Sequence, residues 1–242
     1  MTMTKKIALV TGANKGLGKE IARQLGAANY TVIITSRDEA AGNAAAAELT
    51  NGGADVVAIK LEVTNQDQIA SAVKFVAEKY GHLDLLVNNA GVALEWNAEG
   101  STVERLRKTF DVNCVAPWAI TEAFLPLLSK SSDARVLHHS SMLGSLATAE
   151  KSWNQVAGFM SPGYSMSKAA LNMLALIQGN RFADKKILVA AAHPGWVKTD
   201  LGSDAAPMEV KDGAKTVVGL ATMERQKFPN ATLSHMGDRM PW

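Results

Sequence analysis

The chain has 242 residues, 47% of them apolar, and 25 Lys and Arg against 23 Asp and Glu for a net charge of +2. That length suits one domain, and so small and interspersed a charge argues against a nucleic-acid or membrane-surface partner. The single cysteine, Cys114, cannot form an internal disulfide and fits a reducing cytoplasm, while no stretch after the polar start Met1–Lys6 reads as a signal peptide or spanning helix.

Ile7–Val10 is a short apolar run between charge and Thr11-Gly12, and reads as a buried strand. After Gly18, Ile21, Ala22 and Leu25 recur at helical spacing, and this helix stops near Asn29. Thr31–Thr35 is β-branched and predicts a second strand. Alanine-rich Glu39–Leu49 predicts a helix and Val56–Leu61 a third strand. Ile69, Val73 and Val76 mark a helix face closed by Gly81, and Leu83–Val87 is the fourth strand. Val103–Leu128 is one long helical region with a kink or break expected at Pro117. Val136–His139 is the fifth strand, and Ala169–Phe182 continues the helix that carries Tyr164 and Lys168. Ile187–Ala192 is the sixth strand and Val210–Met223 the last helix. Short apolar strands alternating with helices imply βαβ units and a parallel sheet.

Thr11-Gly12-Ala13-Asn14-Lys15-Gly16-Leu17-Gly18 lies between the first strand and the first helix. Gly12 allows a tight turn. Gly16 lets the backbone approach a pyrophosphate, whose charge a helix N-terminus favours, and Gly18 permits close helix–strand packing. A glycine-rich loop can also serve chain reversal alone, but this placement points to nucleotide binding. Strand two ends in Thr35-Ser36-Arg37. Ser36 stands where an NAD enzyme puts the acid that binds the adenosine 2′-hydroxyl. Arg37 can face a 2′-phosphate with its fork of donors, and Lys15 can approach it from the other side. This reading predicts NADP(H). A competing one makes Asp38 the ribose acceptor and Arg37 a solvated charge.

Tyr164 and Lys168 share a helix face at i,i+4. An ammonium beside a phenol is expected to lower the tyrosine pKa from its free value of about 10 and prepare it for proton exchange. The pair alone is unspecific; Asn88-Asn89-Ala90-Gly91 and Ser141 give it weight.

Together these motifs resemble the short-chain dehydrogenase/reductase family. Thr11–Gly18 is similar to its TGxxxGxG motif and Asn88–Gly91 to its NNAG motif. Asn113, Ser141, Tyr164 and Lys168 follow the order of its catalytic Asn-Ser-Tyr-Lys set. Pro194-Gly195-Trp196-Val197 with Thr199-Asp200 resembles its PG segment. Asn14-Lys15, Ser36-Arg37-Asp38, the PGWVKTD stretch and Met240-Pro241-Trp242 look most like its carbonyl reductases.

The resemblance implies a doubly wound parallel α/β sheet, the Rossmann architecture, in one domain over residues 1–242. It implies NADPH-dependent reduction of a small-molecule ketone or aldehyde to an alcohol. In that scheme Tyr164 donates the proton, Ser141 rather than the adjacent Ser140 holds the substrate oxygen, and Lys168 binds the nicotinamide ribose and tunes Tyr164. Asn113 disturbs its helix and holds a water that links the lysine to solvent. Asn89, Ala90 and Gly91 approach the adenosine and nicotinamide ribose, and Pro194, Gly195, Val197 and Thr199 the nicotinamide amide. Glu62 and Val63 fall near the adenine, although relatives usually carry Asp at the first of these.

His138 and His139 also depart from relatives, which usually carry Asn or an apolar residue there. Strand alternation sends the two rings to opposite faces. With no carboxylate or cysteine of ligand spacing nearby, two buried neutral histidines are expected rather than a metal site. Trp96, Trp118, Trp153, Trp196 and Trp242 read as core or interface residues by default. The substrate pocket is expected from Trp96, Met142, Leu143, Trp153 and Trp196. The segment 142–163 has a partly helical apolar face in Trp153, Val156, Phe159 and Met160, and its length favours a monomer or weak dimer over a tetramer. Two other readings stay open: a catalytically silent NADPH-binding sensor or scaffold, and a nucleotide-sugar epimerase or dehydratase on a similar fold.

Overall fold

The computed structural model describes residues 5–96 and 102–242; Met1–Thr4 of the polar start lies outside the described residues. The nucleotide-side half runs β1 (Lys6–Val10), α1 (Gly16–Ala27), β2 (Tyr30–Ser36), α2 (Glu39–Asn51), β3 (Asp55–Lys60), α3 (Gln66–Lys79) and β4 (Leu85–Asn88). Then come α4 (Val103–Phe110), a π-turn (Asp111–Val115), α5 (Ala116–Leu128) and β5 (Arg135–His139). Two short helices, α6 (Leu146–Lys151) and α7 (Trp153–Val156), precede the long α8 (Pro162–Arg181). The chain ends in β6 (Leu188–Ala192), α9 (Val210–Thr222), β7 (Leu233–His235) and β8 (Asp238–Met240).

The eight strands form one sheet in the order β3-β2-β1-β4-β5-β6-β7-β8, parallel throughout except for the β7–β8 pair. Alternation along each strand feeds two cores. Ala8 and Val10 face Ile21, Leu25, Val217 and Leu220 of α1 and α9. Ile7 and Leu9 face Ile69, Val76, Ile120, Phe124 and Ala175 of α3, α5 and α8. Helices thus cover both faces of the central strands, and β1 and β4 accordingly read as short apolar runs. Truncating a fully buried side chain such as Phe124 would cost about 3–5 kcal/mol. The strand order reverses between β1 and β4, and open α/β sheets bind ligands at the carboxyl ends of strands beside such a switch.

The fold refines several sequence expectations. The long helical region runs on without a break from Val103 to Leu128, with helical dihedrals at its joins, and is disturbed by a π-bulge centred on Asn113 just before Pro117. Strands β7 and β8 were not anticipated. Trp96, Trp118, Trp153 and Trp196 are 38%, 50%, 57% and 43% exposed, while Trp242 is partly buried against the core beneath β1. In the segment 142–163 only Val156 of the expected apolar face is buried. That segment packs on the end of the chain instead, with Ala147 N–H donating to Trp242 O at 2.8 Å and Ser145 Oγ to Pro241 O at 3.0 Å. It leaves Trp118, Met173 and Ile177 exposed on α5 and α8. No helix among the described residues is long and apolar enough to cross a membrane.

Candidate active site

The floor of the site is the junction of the glycine-rich turn with the turn after β4. Thr11 Oγ1 accepts the N–H of Asn89 at 2.9 Å and of Ala90 at 3.0 Å. In return Asn89 Nδ2 donates to the carbonyls of Thr11 and Gly12 at 2.8 and 3.1 Å. Gly12 adopts φ +61, and a Cβ there would meet Ala90 at 3.0 Å, so both its conformation and its packing require glycine. The N-terminus of α1 beyond Lys15 carries no side-chain cap, leaving its first backbone N–H groups directed at whatever anion lies over Gly16. Leu17 and Gly18 are buried beneath, while Asn14 is half-buried.

At the end of β2, Ser36 is buried and its Oγ accepts the Asp38 N–H at 3.2 Å. Asp38 caps α2, its Oδ1 accepting the Ala41 N–H at 3.0 Å. Arg37 is exposed and makes no recorded hydrogen bond or ion pair among the described residues. Lys15 does not lie free beside it; it pairs with Asp200 across the cleft. Glu62 N–H donates to Gln68 Oε1 at 2.7 Å, and Val63 is buried.

The four residues of the expected catalytic set converge. Tyr164 and Lys168 are buried on α8, 7% and 4% exposed. Lys168 Nζ donates to His139 O at 2.7 Å and lies 5.6 Å from the Tyr164 ring centroid. Asn113 is fully buried in the π-turn. Its Nδ2 donates to Val92 O and to Ser167 Oγ at 2.8 and 3.0 Å, and its Oδ1 accepts the Val92 N–H at 2.9 Å. The side chain thereby ties the turn after Gly91 to α8. The neighbouring serines part company. Ser140 Oγ donates to Asn172 Oδ1 at 2.5 Å, inside the core. The Ser141 hydroxyl is a hydrogen-bond neighbour of the Tyr164 phenol and accepts the Leu143 N–H at 3.1 Å.

The electrostatics differ in sign from the sequence expectation. Burial pushes the Tyr164 phenol up to about 12, only partly opposed by the Ser141 hydroxyl. The Lys168 ammonium, 5.6 Å from the ring centroid, donates to the His139 carbonyl. Burial also brings Lys168 down to about 8. Desolvation thus disfavours both charged forms. At neutral pH the tyrosine keeps its proton and the lysine remains largely an ammonium.

His138 and His139 do point to opposite faces. His138 Nε2 meets Gln178 Oε1 at 2.9 Å and its Nδ1 meets Asn88 Nδ2 at 3.2 Å, so Nε2 carries the proton. His139 Nδ1 meets Asn89 Oδ1 at 2.9 Å on the other face. Burial holds both neutral, at about 4 for His138 and about 3 for His139. Among the described residues no group of three His, Cys, Asp or Glu side chains could hold a metal.

The roof is aromatic and open. The Trp96 ring rests on the Tyr164 ring at 4.6 Å, and Phe159 meets Trp196 at 5.2 Å. Trp196 Nε1 donates to Gly202 O at 2.6 Å. Met142 and Leu143 are half-buried beside Ser141, whereas Trp153 is mostly exposed on α7. Pro194 and Val197 are buried, Gly195 adopts φ +93, and the Thr199 hydroxyl accepts the Gly202 N–H at 3.0 Å. Sequence reasoning missed Glu95, whose carboxylate accepts the Tyr164 N–H at 3.2 Å, and the Thr11 hydroxyl as the bolt between the two turns. A Ser-Pro helix start at Ser161-Pro162 was available as a signal that something must cap α8.

A family model described as short chain dehydrogenase matches residues 6–210. The chain is 30% identical to NADPH carbonyl reductase 3 of Rattus norvegicus, covering 97% of this chain and 96% of that one. It is 31% identical to (+)-neomenthol dehydrogenase of Arabidopsis thaliana, covering 94% and 95%. The crystal structure of NADPH-bound carbonyl reductase from chicken fatty liver superposes with a TM-score of 0.85 at 30% identity, over 98% of this chain and 94% of that one. The converging Asn113, Ser141, Tyr164 and Lys168, the glycine-rich turn and these matches agree, and the chain belongs to the short-chain dehydrogenase family of oxidoreductases.

Proposed function

We propose that the protein reduces a ketone or aldehyde to an alcohol with NADPH, with Tyr164 as the proton donor. The observation that carries this reading is the buried, protonated Tyr164 with the Ser141 hydroxyl beside it, at the carboxyl end of β5. The donor set fits a dinucleotide: an α1 N-terminus without a side-chain cap for the pyrophosphate, and exposed Arg37 for a 2′-phosphate. NADPH, when bound, supplies the hydride that reaches the carbonyl carbon. Ser141 holds the carbonyl oxygen, and Tyr164 transfers its phenolic proton to that oxygen as alkoxide charge develops. The Lys168 ammonium then stabilises the phenolate left behind. The exposed aromatic roof of Trp96, Phe159 and Trp196 suits an apolar carbonyl compound.

The test is NADPH oxidation over a panel of aryl and alkyl ketones and aldehydes. Turnover with NADPH is expected at a kcat/KM at least tenfold above that with NADH. No turnover of any carbonyl, or equal use of the two cofactors, would remove the reading.

A further inference from the structure

The helix that carries Tyr164 is capped from outside itself. Ser161 is the N-cap of α8 and Pro162 its first residue, which makes Tyr164 the third. A serine at this place ordinarily accepts the N–H of the second or third helical residue. Ser161 makes no such bond; its Oγ donates instead to Glu95 Oε2 at 3.1 Å. The same carboxylate oxygen accepts the Tyr164 N–H at 3.2 Å. Glu95 Oε2 therefore takes over the cap that Ser161 gives up, at the helix end whose free N–H groups need an acceptor. It is only 9% exposed. Gly163 makes room for it: a Cβ there would lie 2.7 Å from Glu95 Cδ. Beside it, the Trp96 ring leans on the Tyr164 ring at 4.6 Å.

The segment that delivers Glu95 begins at the floor of the site. It leaves Asn89-Ala90-Gly91, is clamped at Val92 by both ends of the Asn113 amide, and reaches α8 at Glu95. We propose that Glu95 is a positioning residue: it fixes the catalytic turn of α8, and with it the Tyr164 phenol, relative to the cofactor floor. In this proposal it acts through Tyr164 rather than on the reacting atoms. The inference rests on the proposed role of Tyr164 as proton donor.

The experiment compares kcat, KM for NADPH and melting temperature for wild type, Glu95→Ala, Glu95→Gln, Gly163→Ala and the Glu95→Ala/Gly163→Ala double variant, with acetophenone and 2-octanone as probes. Glu95→Ala is expected to lower kcat at least tenfold while KM for NADPH changes less than twofold. Glu95→Gln keeps an acceptor oxygen and should recover kcat to within about threefold of wild type. Gly163→Ala should also lower kcat, and adding Glu95→Ala to it should raise kcat, because the new methyl no longer meets a carboxyl group. A kcat for Glu95→Ala within twofold of wild type overturns the proposal, as does a double variant whose loss is the product of the two single losses. Should Glu95→Ala fail to fold, Glu95→Asp takes its place, since it withdraws the acceptor by one methylene; equal kcat for Glu95→Asp and Glu95→Gln then overturns it. Tyr164→Phe is assayed alongside: retained turnover there removes the proton-donor reading, whereas coupling of positions 95 and 163 in melting temperature reports the anchoring by itself.

Discussion

The floor and the roof of the site are built differently. The floor, from Thr11–Gly18 and Asn88–Gly91, is backbone and short side chains with their polar groups spent on one another: Thr11 accepts two N–H groups, and Asn89 donates to two carbonyls while accepting from His139. The roof is Trp96, Phe159 and Trp196, each more than a third exposed, held by ring contacts and the bond from Trp196 Nε1 to Gly202 O. Buried hydrogen-bonded junctions open rarely, whereas exposed ring contacts open at low cost. The difference teaches where each property resides. On the proposed reading the cofactor rests on the floor, Tyr164 joins floor to roof, and substrate choice falls to surfaces that can vary without disturbing the floor.

The sharpest way to break this division is at Tyr164, which touches both regions. Tyr164→Phe removes the phenolic hydroxyl and its bond to Ser141 and leaves the floor hydrogen bonds intact. Turnover should fall by about 10²–10⁴-fold, the usual worth of general acid catalysis, with Kd for NADPH unchanged within about twofold. A variant that keeps more than roughly a tenth of wild-type activity would take the proton-donor role from Tyr164. Next in size is Arg37, at the outer edge of the floor. Hydrogen bonds to charged groups are worth about 1.5–3 kcal/mol, so Arg37→Ala should erode the NADPH over NADH preference roughly 10–100-fold, chiefly through KM for NADPH. An unchanged ratio would return the choice of cofactor to other residues, Asp38 among them.

The same division explains what could be read in the sequence. Strands buried on both faces announce themselves as apolar runs, so β1 to β6 and the helices between them were legible. β7 and β8 are three residues each and carry no period to detect. In the site, glycines and the Tyr164–Lys168 spacing were legible because local geometry demands them. What spacing could not convey is where an ammonium turns once buried. Lys168 bonds the His139 carbonyl, and burial then decides the sign of the Tyr164 shift. Glu95 was silent for a similar reason, since its partners Ser161 and Tyr164 are remote in sequence. Trp96 and Trp196, expected at the pocket from the motifs they follow, rest on Tyr164 and Phe159 in the structure, whereas Trp118 is exposed on α5.

The buried polar groups beneath the floor make a prediction about acid. His138 is wholly buried, neutral, and held down to about 4 from an ordinary 6.5. Below pH 6.5 the unfolded chain takes a proton there that the folded protein refuses until about pH 4. Stability from this group is therefore intact above pH 6.5 and is lost as pH falls toward 4. By pH 5 the loss should be about 2 kcal/mol. Urea unfolding at pH 7 and pH 5, for wild type and His138→Asn, measures it. The variant should lose about 2 kcal/mol less than wild type between the two pH values, and equal losses would show that His138 is not the titrating group.

The smallest expected effect lies in the roof and decides whether it is separable from the floor. Phe159 stands at the end of a short turn in the segment between Ser141 and Tyr164, and Trp196 follows Pro194-Gly195 after β6. Their rings, 5.2 Å apart at 58°, join two segments that flank the site. Such a pair is worth about 0.5–1.5 kcal/mol, and less where water reaches it, as it does here. Phe159→Ala leaves the Trp196 bond to Gly202 in place and removes the ring it leans on. KM for ketones should therefore change by about two- to tenfold, rising for aryl ketones that use the Phe159 face and rising less for small alkyl ones. KM for NADPH should stay within twofold, because no floor hydrogen bond passes through Phe159. If KM for NADPH moves as far as KM for the ketones, the two regions are mechanically one, and the division of cofactor from substrate chemistry between floor and roof does not hold.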